Sequence, residues 1–259
     1  MSAAALTLAI VLAYALDRPM VNPNGGTWLG YTLGTIGAGM ILWLMWFGVR
    51  KRSYARAGRL QGWLSAHVYL GLALTVVATL HTGFHFGWNV HTLAYVLMMA
   101  VIASGVFGIV VYATLPEQMT RNRHGATVAG LQEKIAAIDG ELRQTALGLD
   151  DAQVRLVRDA IERSAIGGSA WRQLSGRRPR CATRDALTRI TAADATPAQR
   201  AQAQRVLALL GERLEYLDVI SRDLRYKALM DIWLFAHVPI SFALLAALTA
   251  HVVAVFFYF

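Results

Sequence analysis

The chain has 259 residues, of which 56% are hydrophobic and only 16% are charged. Soluble globular domains are about 45–50% apolar and about a quarter charged, so this composition excludes an ordinary soluble protein. The formal net charge is +9, but no DNA- or RNA-binding pattern accompanies it, so we expect no nucleic-acid partner.

The apolar residues fall into five runs that are separated by polar links. These runs cover about 2–16, 28–49, 61–84, 91–114 and 230–258. A helix needs about 20 apolar residues to cross the hydrocarbon of a membrane, so four runs are long enough and the first is short. Because backbone groups in lipid must be paired within the segment, each run should be helical. We therefore predict an all-α integral membrane bundle with five transmembrane helices.

The first run also has features of a secretory signal peptide. Ala13, Tyr14 and Ala15 match the small-residue pattern of a cleavage site. The run lacks the basic residues that precede the apolar part of a signal peptide. We therefore expect a short membrane helix that is retained in the protein.

A polar insertion separates the fourth and fifth runs. Residues 115–229 hold 19 of the 25 Lys and Arg and 14 of the 16 Asp and Glu. Apolar residues recur every three or four positions from Val128 to Leu142 and from Leu207 to Leu224, which indicates two amphipathic helices. Asp150 and Thr196 are residue types that cap the start of a helix.

These patterns predict three segments. Four transmembrane helices occupy 1–114, a soluble helical hairpin occupies 115–229, and the fifth transmembrane helix occupies 230–259. We expect the second arm of the hairpin to run directly into the fifth membrane helix.

The orientation follows from the basic residues. The link 50–60 carries five Lys and Arg and no acid, and almost all other basic residues lie in the insertion. Cytoplasmic loops are enriched in Lys and Arg. We therefore expect the N-terminus and 115–229 to be cytoplasmic and the C-terminus to be outside, in a bacterial inner membrane.

Two of the apolar runs contain histidines at the same interval. They read AHVYLGLALTVVATLH, which places His67 and His81, and AHVPISFALLAALTAH, which places His237 and His251. Fourteen residues make almost four helical turns, so each pair lies on one helix face with a rise of about 21 Å. The third and fifth helices are parallel in the predicted topology, so His67 should face His237 and His81 should face His251.

Imidazoles inside a membrane are costly and usually mark a functional site. Two facing pairs predict two haem b groups, each with its iron held by two histidines. The chain has no C-x-x-C-H, so covalent attachment is not expected. Gly71 and Gly83 lie near the ligands and are small enough to face a haem. The repeat Gly30-x-x-x-Gly34 on the second helix predicts close helix packing.

Two further histidines leave alternatives at the outer end. His85 lies one turn beyond His81 and is a rival ligand, and His81-x-x-x-His85 also resembles a histidine box of di-iron membrane oxygenases. His91 begins the fourth helix, where it can face water, bind a haem propionate or line a substrate site.

The paired histidines resemble the transmembrane domain of ferric reductases and NADPH oxidases. The resemblance rests on His67, His81, His237 and His251. It implies a dihaem cytochrome b that passes electrons through the membrane. The spacing is also similar to cytochrome b subunits of quinol-linked complexes. The chain differs from the reductases in its insertion, in having five predicted helices rather than six, and in having no flavin or nicotinamide domain after the last helix.

This pattern predicts an electron-transfer subunit of a larger oxidoreductase complex. The expected partner is a subunit that contains a flavin, an iron–sulfur cluster or a cytochrome, and a quinone is a further possible partner. One alternative is a membrane anchor that oxidises quinol or reduces quinone. A second alternative is a metal transporter lined by histidines.

Overall fold

The computed structural model describes residues 3–17, 25–53, 57–164, 174, 181–190 and 196–257. Within these ranges the chain is helical and has no strands, which confirms the all-α prediction. The helices are α1 Ala3–Leu16, α2 Trp28–Ser53, α3 Ala57–Thr82, α4 Val90–Asn122, α5 Val128–Thr145, α6 Asp151–Arg163, α7 Ala182–Arg189 and α8 Pro197–Phe257. A 3₁₀ turn, Ala146–Gly148, follows α5.

Four of these helices are long and apolar enough to cross a membrane. They are α2, α3, α4 and α8. Helix α1 has 14 residues, which is fewer than the about 20 that a full crossing needs. The structure therefore supports a membrane protein with four candidate spans, and the predicted fifth crossing by the first run is not established.

The chain separates into two compact units. The first, the membrane unit, consists of Met1–Ile109 and Trp233–Phe259, and the second, the polar unit, is Val110–Ile232. Helices α4 and α8 each contribute residues to both units. Helix α8 is continuous from the polar sequence into the last apolar run, as the sequence predicts for the second arm of the insertion.

The membrane unit has a core to which four helices contribute. Ile41, Leu74, Met98 and Leu244 form its buried centre. Many large apolar side chains of the same helices are exposed instead, including Leu42, Phe235 and Phe242. An outer surface of this kind is suited to lipid, where apolar side chains need no protein cover.

The turn between α3 and α4 is defined by a left-handed backbone at its start and a side-chain cap at its end. Gly83 has a φ of 55°, and the next residue, Phe84, has a φ of 62°. This left-handed backbone, for which glycine is the usual residue, ends α3. The Asn89 side chain then accepts a hydrogen bond from the Thr92 N–H at 2.9 Å and caps the start of α4.

The polar unit is held by the apolar faces that the sequence predicts. Leu131, Ile135, Ile138 and Leu142 are the buried residues of α5. Asp150 caps α6 by accepting from the Gln153 N–H at 2.8 Å. Helix α8 begins at Pro197, directly after Thr196, so both predicted start signals are confirmed.

Ion pairs show that α5 and the first part of α8 run in opposite directions. Glu141 pairs with Arg205, and Asp139 pairs with Arg213. Nearer the end of α4, the Arg123 Nε lies 2.7 Å from the Asp223 Oδ2. Along α5 the residue number of each partner rises, while the residue number of its partner on α8 falls. The two helices are therefore antiparallel, as in the predicted hairpin. Its cytoplasmic placement remains a prediction.

Arg213 is a deeply buried charge of the polar unit, with 3% of its surface exposed. Its Nε donates to the Asp139 Oδ1 at 2.6 Å, and its Nη1 donates to the Thr183 Oγ1 at 2.6 Å. Its Nη2 donates to the Ile161 carbonyl at 3.3 Å. A buried guanidinium that loses such partners, or a carboxylate that loses the guanidinium, is left with an uncompensated desolvation cost.

Replacing Arg213 with Met should therefore lower the free energy of unfolding of the polar unit by about 3–5 kcal/mol. The matched control is Arg205→Met, because Arg205 is 60% exposed and its pair with Glu141 is worth about 0–1 kcal/mol. The single cysteine, Cys181, is half-buried against the apolar cluster of this unit. Its rate of thiol labelling in increasing urea measures the unfolding of each full-length variant. Equal urea midpoints for the two variants would contradict a supporting role for the Arg213 network.

Candidate functional site

The outer pair of predicted ligands comes together in the structure. The imidazole centroids of His81 on α3 and His251 on α8 are 6.0 Å apart, and the ring planes are nearly perpendicular, at 83°. The two residues therefore lie at the same level of two different helices. This placement is the one that the equal spacing of histidines predicts for a parallel pair.

His81 is oriented by the glycines of α2. Its Nδ1 lies 2.8 Å from the Gly30 carbonyl oxygen. A Cβ atom at Gly34 would come within 2.7 Å of the His81 Cε1, and a Cβ at Gly25 would come within 3.4 Å. The repeat Gly30-x-x-x-Gly34 thus serves close packing, as expected. It packs against the His81 ring. A side chain at Gly34 would therefore displace that ring.

His251 has a second histidine beside it. The Nδ1 of His91, on α4, lies 2.5 Å from the Nδ1 of His251, and the ring centroids are 4.6 Å apart. The sequence left the role of His91 open, because it lies outside the repeated interval and on another helix. Only the packing of α4 beside α8 brings the two rings together.

The inner histidine of α8 is held by α4. The Nδ1 of His237 lies 2.7 Å from the Ser104 Oγ. Trp233, one turn earlier, stacks on His237 with centroids 5.1 Å apart, and its Nε1 donates to the Ser104 carbonyl at 2.6 Å. The backbone of α4 passes closely here, because a Cβ at Gly108 would overlap the Trp233 indole. Sequence analysis missed Ser104 and Trp233, since neither belongs to a recognisable motif.

His67 differs from the other three histidines in its polar contacts. Its ring packs against Phe47 of α2, with centroids 5.0 Å apart. Its Nδ1 is buried and has no hydrogen-bond partner among the residues that the structure describes. A buried polar atom without a partner is unusual in native proteins and calls for a ligand or another explanation.

An apolar layer lies between the two histidine levels. Leu74 is seven residues from both His67 and His81, and Leu244 is seven residues from the two histidines of α8. Their side chains are only 2% and 4% exposed, and both belong to the buried centre of the membrane unit. The two polar levels are therefore separated by packed hydrocarbon.

The remaining predicted site residues lie at less central positions. The backbone of Gly71 borders open space, because a Cβ there would meet nothing within 4 Å. Gly83 ends α3 through its positive φ. His85 follows in the exposed turn, and its Nδ1 lies 2.7 Å from the Gly83 carbonyl oxygen. Helix α3 thus ends between His81 and His85.

The arrangement is suited to a group that is held by two imidazoles. Two imidazoles whose nitrogens each lie about 2 Å from one metal atom have centroids about 6 Å apart, which is the separation of His81 and His251. The Nδ1 atoms of His81, His237 and His251 each contact an oxygen or a nitrogen. In metal sites the second ring nitrogen is usually hydrogen-bonded in this way.

Three histidines, His81, His251 and His91, lie together at one level of the membrane unit. Within the described ranges, no group of three or more His, Cys, Asp or Glu side chains is arranged to hold a metal ion. Comparison with protein-family models, curated proteins and solved structures finds no match to the chain.

Gly34→Ala should destabilise the membrane unit by about 1–3 kcal/mol, because the added methyl group forces the His81 ring away from the Gly30 carbonyl. Gly39→Ala is the control on the same helix, since a Cβ at Gly39 meets nothing within 4 Å. Thermal unfolding of the purified chain in detergent, followed by near-UV circular dichroism of the tryptophans, compares the two. If both variants unfold at the wild-type temperature, His81 is not held against α2.

Proposed function

We propose that the protein is a membrane cytochrome that binds two haem b groups, one at each histidine pair, and conducts electrons across the membrane. The observation that carries this proposal is the outer pair. His81 and His251 come from helices distant in sequence, and their rings are 6.0 Å apart. His67 and His237 lie fourteen residues before this pair on the same two helices, and this equal interval supports a second pair of the same kind.

His81 with His251, and His67 with His237, would each hold one haem, and a haem held by two histidines would supply one-electron transfer. The chain's own residues orient the ligands. The Gly30 carbonyl fixes the ring of His81, and the Ser104 hydroxyl fixes the ring of His237. Such contacts set the tautomer and raise the basicity of a ligand imidazole.

The buried Leu74 and Leu244 lie between the two ligand levels. Their side chains offer no polar partner to water, and a buried water typically needs two to four. These residues therefore favour the movement of electrons over the movement of ions.

The polar unit is the proposed contact for a redox partner on the cytoplasmic side. The proposal rests on the excess of Lys and Arg in 50–60 and in the insertion. A partner with a flavin, an iron–sulfur cluster or a cytochrome would exchange electrons with the inner site. A donor or acceptor at the outer face completes the path.

Haem content tests the function directly. The full chain, purified in detergent, should contain two haem b per polypeptide by pyridine haemochrome, with a b-type reduced-minus-oxidised spectrum. His81→Ala and His251→Ala should each remove one haem, and His67→Ala and His237→Ala should each remove the other.

His85→Ala is the matched control, because His85 lies in the exposed turn only four residues from His81. It should keep both haems. A wild-type chain without haem after expression with added haem precursor would refute the proposed function. One haem in the His85 variant and two in the His81 variant would reassign the outer ligand.

The orientation is tested by thiol labelling in intact cells. In a Cys181→Ser background, a cysteine at Asn89, in the exposed turn before α4, should react with an impermeant maleimide from outside. A cysteine at Leu147, which is 79% exposed in the polar unit, should react only after the membrane is permeabilised. Labelling of the Leu147 position in intact cells would place the polar unit, and its partner, on the outer side.

A further inference from the structure

We propose that His91 is a positioning residue for the outer ligand His251: it accepts a hydrogen bond from the His251 Nδ1–H and thereby keeps the Nε2 of His251 unprotonated for metal ligation. This inference deepens the proposed function and depends on it. It assigns a role to a histidine that the spacing of the four ligands does not explain.

The distance between the two Nδ1 atoms restricts which ring donates the hydrogen bond. Their Nδ1 atoms are 2.5 Å apart, so one of them carries hydrogen and the other accepts it. A neutral imidazole has one N–H and one acceptor nitrogen. If His91 donated, the hydrogen of neutral His251 would be on its Nε2, which would then be blocked as a ligand. Ligation by the His251 Nε2 therefore requires that His251 donates and that His91 accepts.

His91 is placed for this role by a rigid element. It is the second residue of α4, which begins at Val90. The Asn89 side chain caps this first turn through the Thr92 N–H, and the Asn89 carbonyl accepts from the Leu93 N–H at 3.1 Å. A residue in a capped helical turn has little freedom to swing away from its partner. The contact is thus a property of the fold and not of a loose loop.

The two outer ligands differ in the kind of acceptor that each one uses. His81 faces a backbone carbonyl, that of Gly30, which no side-chain substitution removes. His251 faces a side chain, which substitution can remove. His91 is therefore the position at which the properties of the outer site can be changed while its ligands stay intact.

The experiment uses the full chain in detergent with three variants. His91→Leu keeps most of the side-chain volume but removes the acceptor. His91→Asn keeps an acceptor oxygen close to the former Nδ1 position. His85→Leu is the control, because His85 is a neighbouring histidine whose Nδ1 contacts only its own turn in the described structure.

Haem transfer to excess apomyoglobin measures how firmly each haem is held. Partners of a ligand imidazole typically contribute 10–100-fold to metal affinity. We expect His91→Leu to speed the loss of the outer haem by about 10-fold or more, with the inner haem unchanged. Its outer midpoint potential should rise, because a less basic imidazole stabilises the ferric iron less. His91→Asn should remain close to wild type in both measurements, and so should His85→Leu.

A His91→Leu variant with wild-type haem loss and a wild-type outer potential would overturn the inference and leave the proposed function intact. Loss of the outer haem in His91→Leu together with its retention in His251→Ala would overturn the inference and would also replace His251 by His91 as the outer ligand. If His91→Leu loses both haems, the inference requires that His91→Asn keeps both and loses them at wild-type rates. If His91→Asn also loses them faster, His91 acts only in holding the fold. A wild-type chain with no haem would overturn the inference and the proposed function together.

Discussion

An imidazole in an apolar bundle has two nitrogens, and each needs a partner because water is scarce there. This requirement explains much of the membrane unit. It brings α2 so close to His81 that its backbone carbonyl serves as a partner, which only glycines permit. It places Ser104 of α4 against His237 and His91 against His251. The helices are positioned around the histidines, and under the proposed function the second nitrogen of a ligand ring would bind the haem iron.

The same rule operates in the polar unit with a different outcome. The guanidinium of Arg213 is buried, and three different residues accept its hydrogen bonds. This cluster is complete, so it needs nothing more to be stable. The buried Nδ1 of His67, in contrast, lacks a partner within the described chain. A satisfied buried group is explained by the fold, and an unsatisfied one points to a ligand.

Much of the fold was predictable because local patterns determine it. The apolar stripe around Leu131 and Leu142, the cap at Asp150 and the start at Pro197 all appear as predicted. The equal spacing of histidines also predicted that His81 and His251 would meet. The contacts of His91 and Ser104 were not predictable, because they depend on how α4 packs against α8, and no periodicity within one helix encodes that. The short first run forms a helix, but its predicted crossing of the membrane is not established.

The buried leucines midway between the histidine levels have an electrical consequence. The levels are about 21 Å apart along the helices, out of about 30 Å of hydrocarbon. Leu74 and Leu244 are buried in this layer, and neither carries a group that binds a proton. Under the proposed function, each electron that crosses would therefore move charge through most of the membrane voltage, which is worth about 2.3 kcal/mol per 100 mV for a complete crossing. The rate of turnover would then depend on the membrane voltage. The voltage would slow or accelerate turnover according to the direction in which the electrons move.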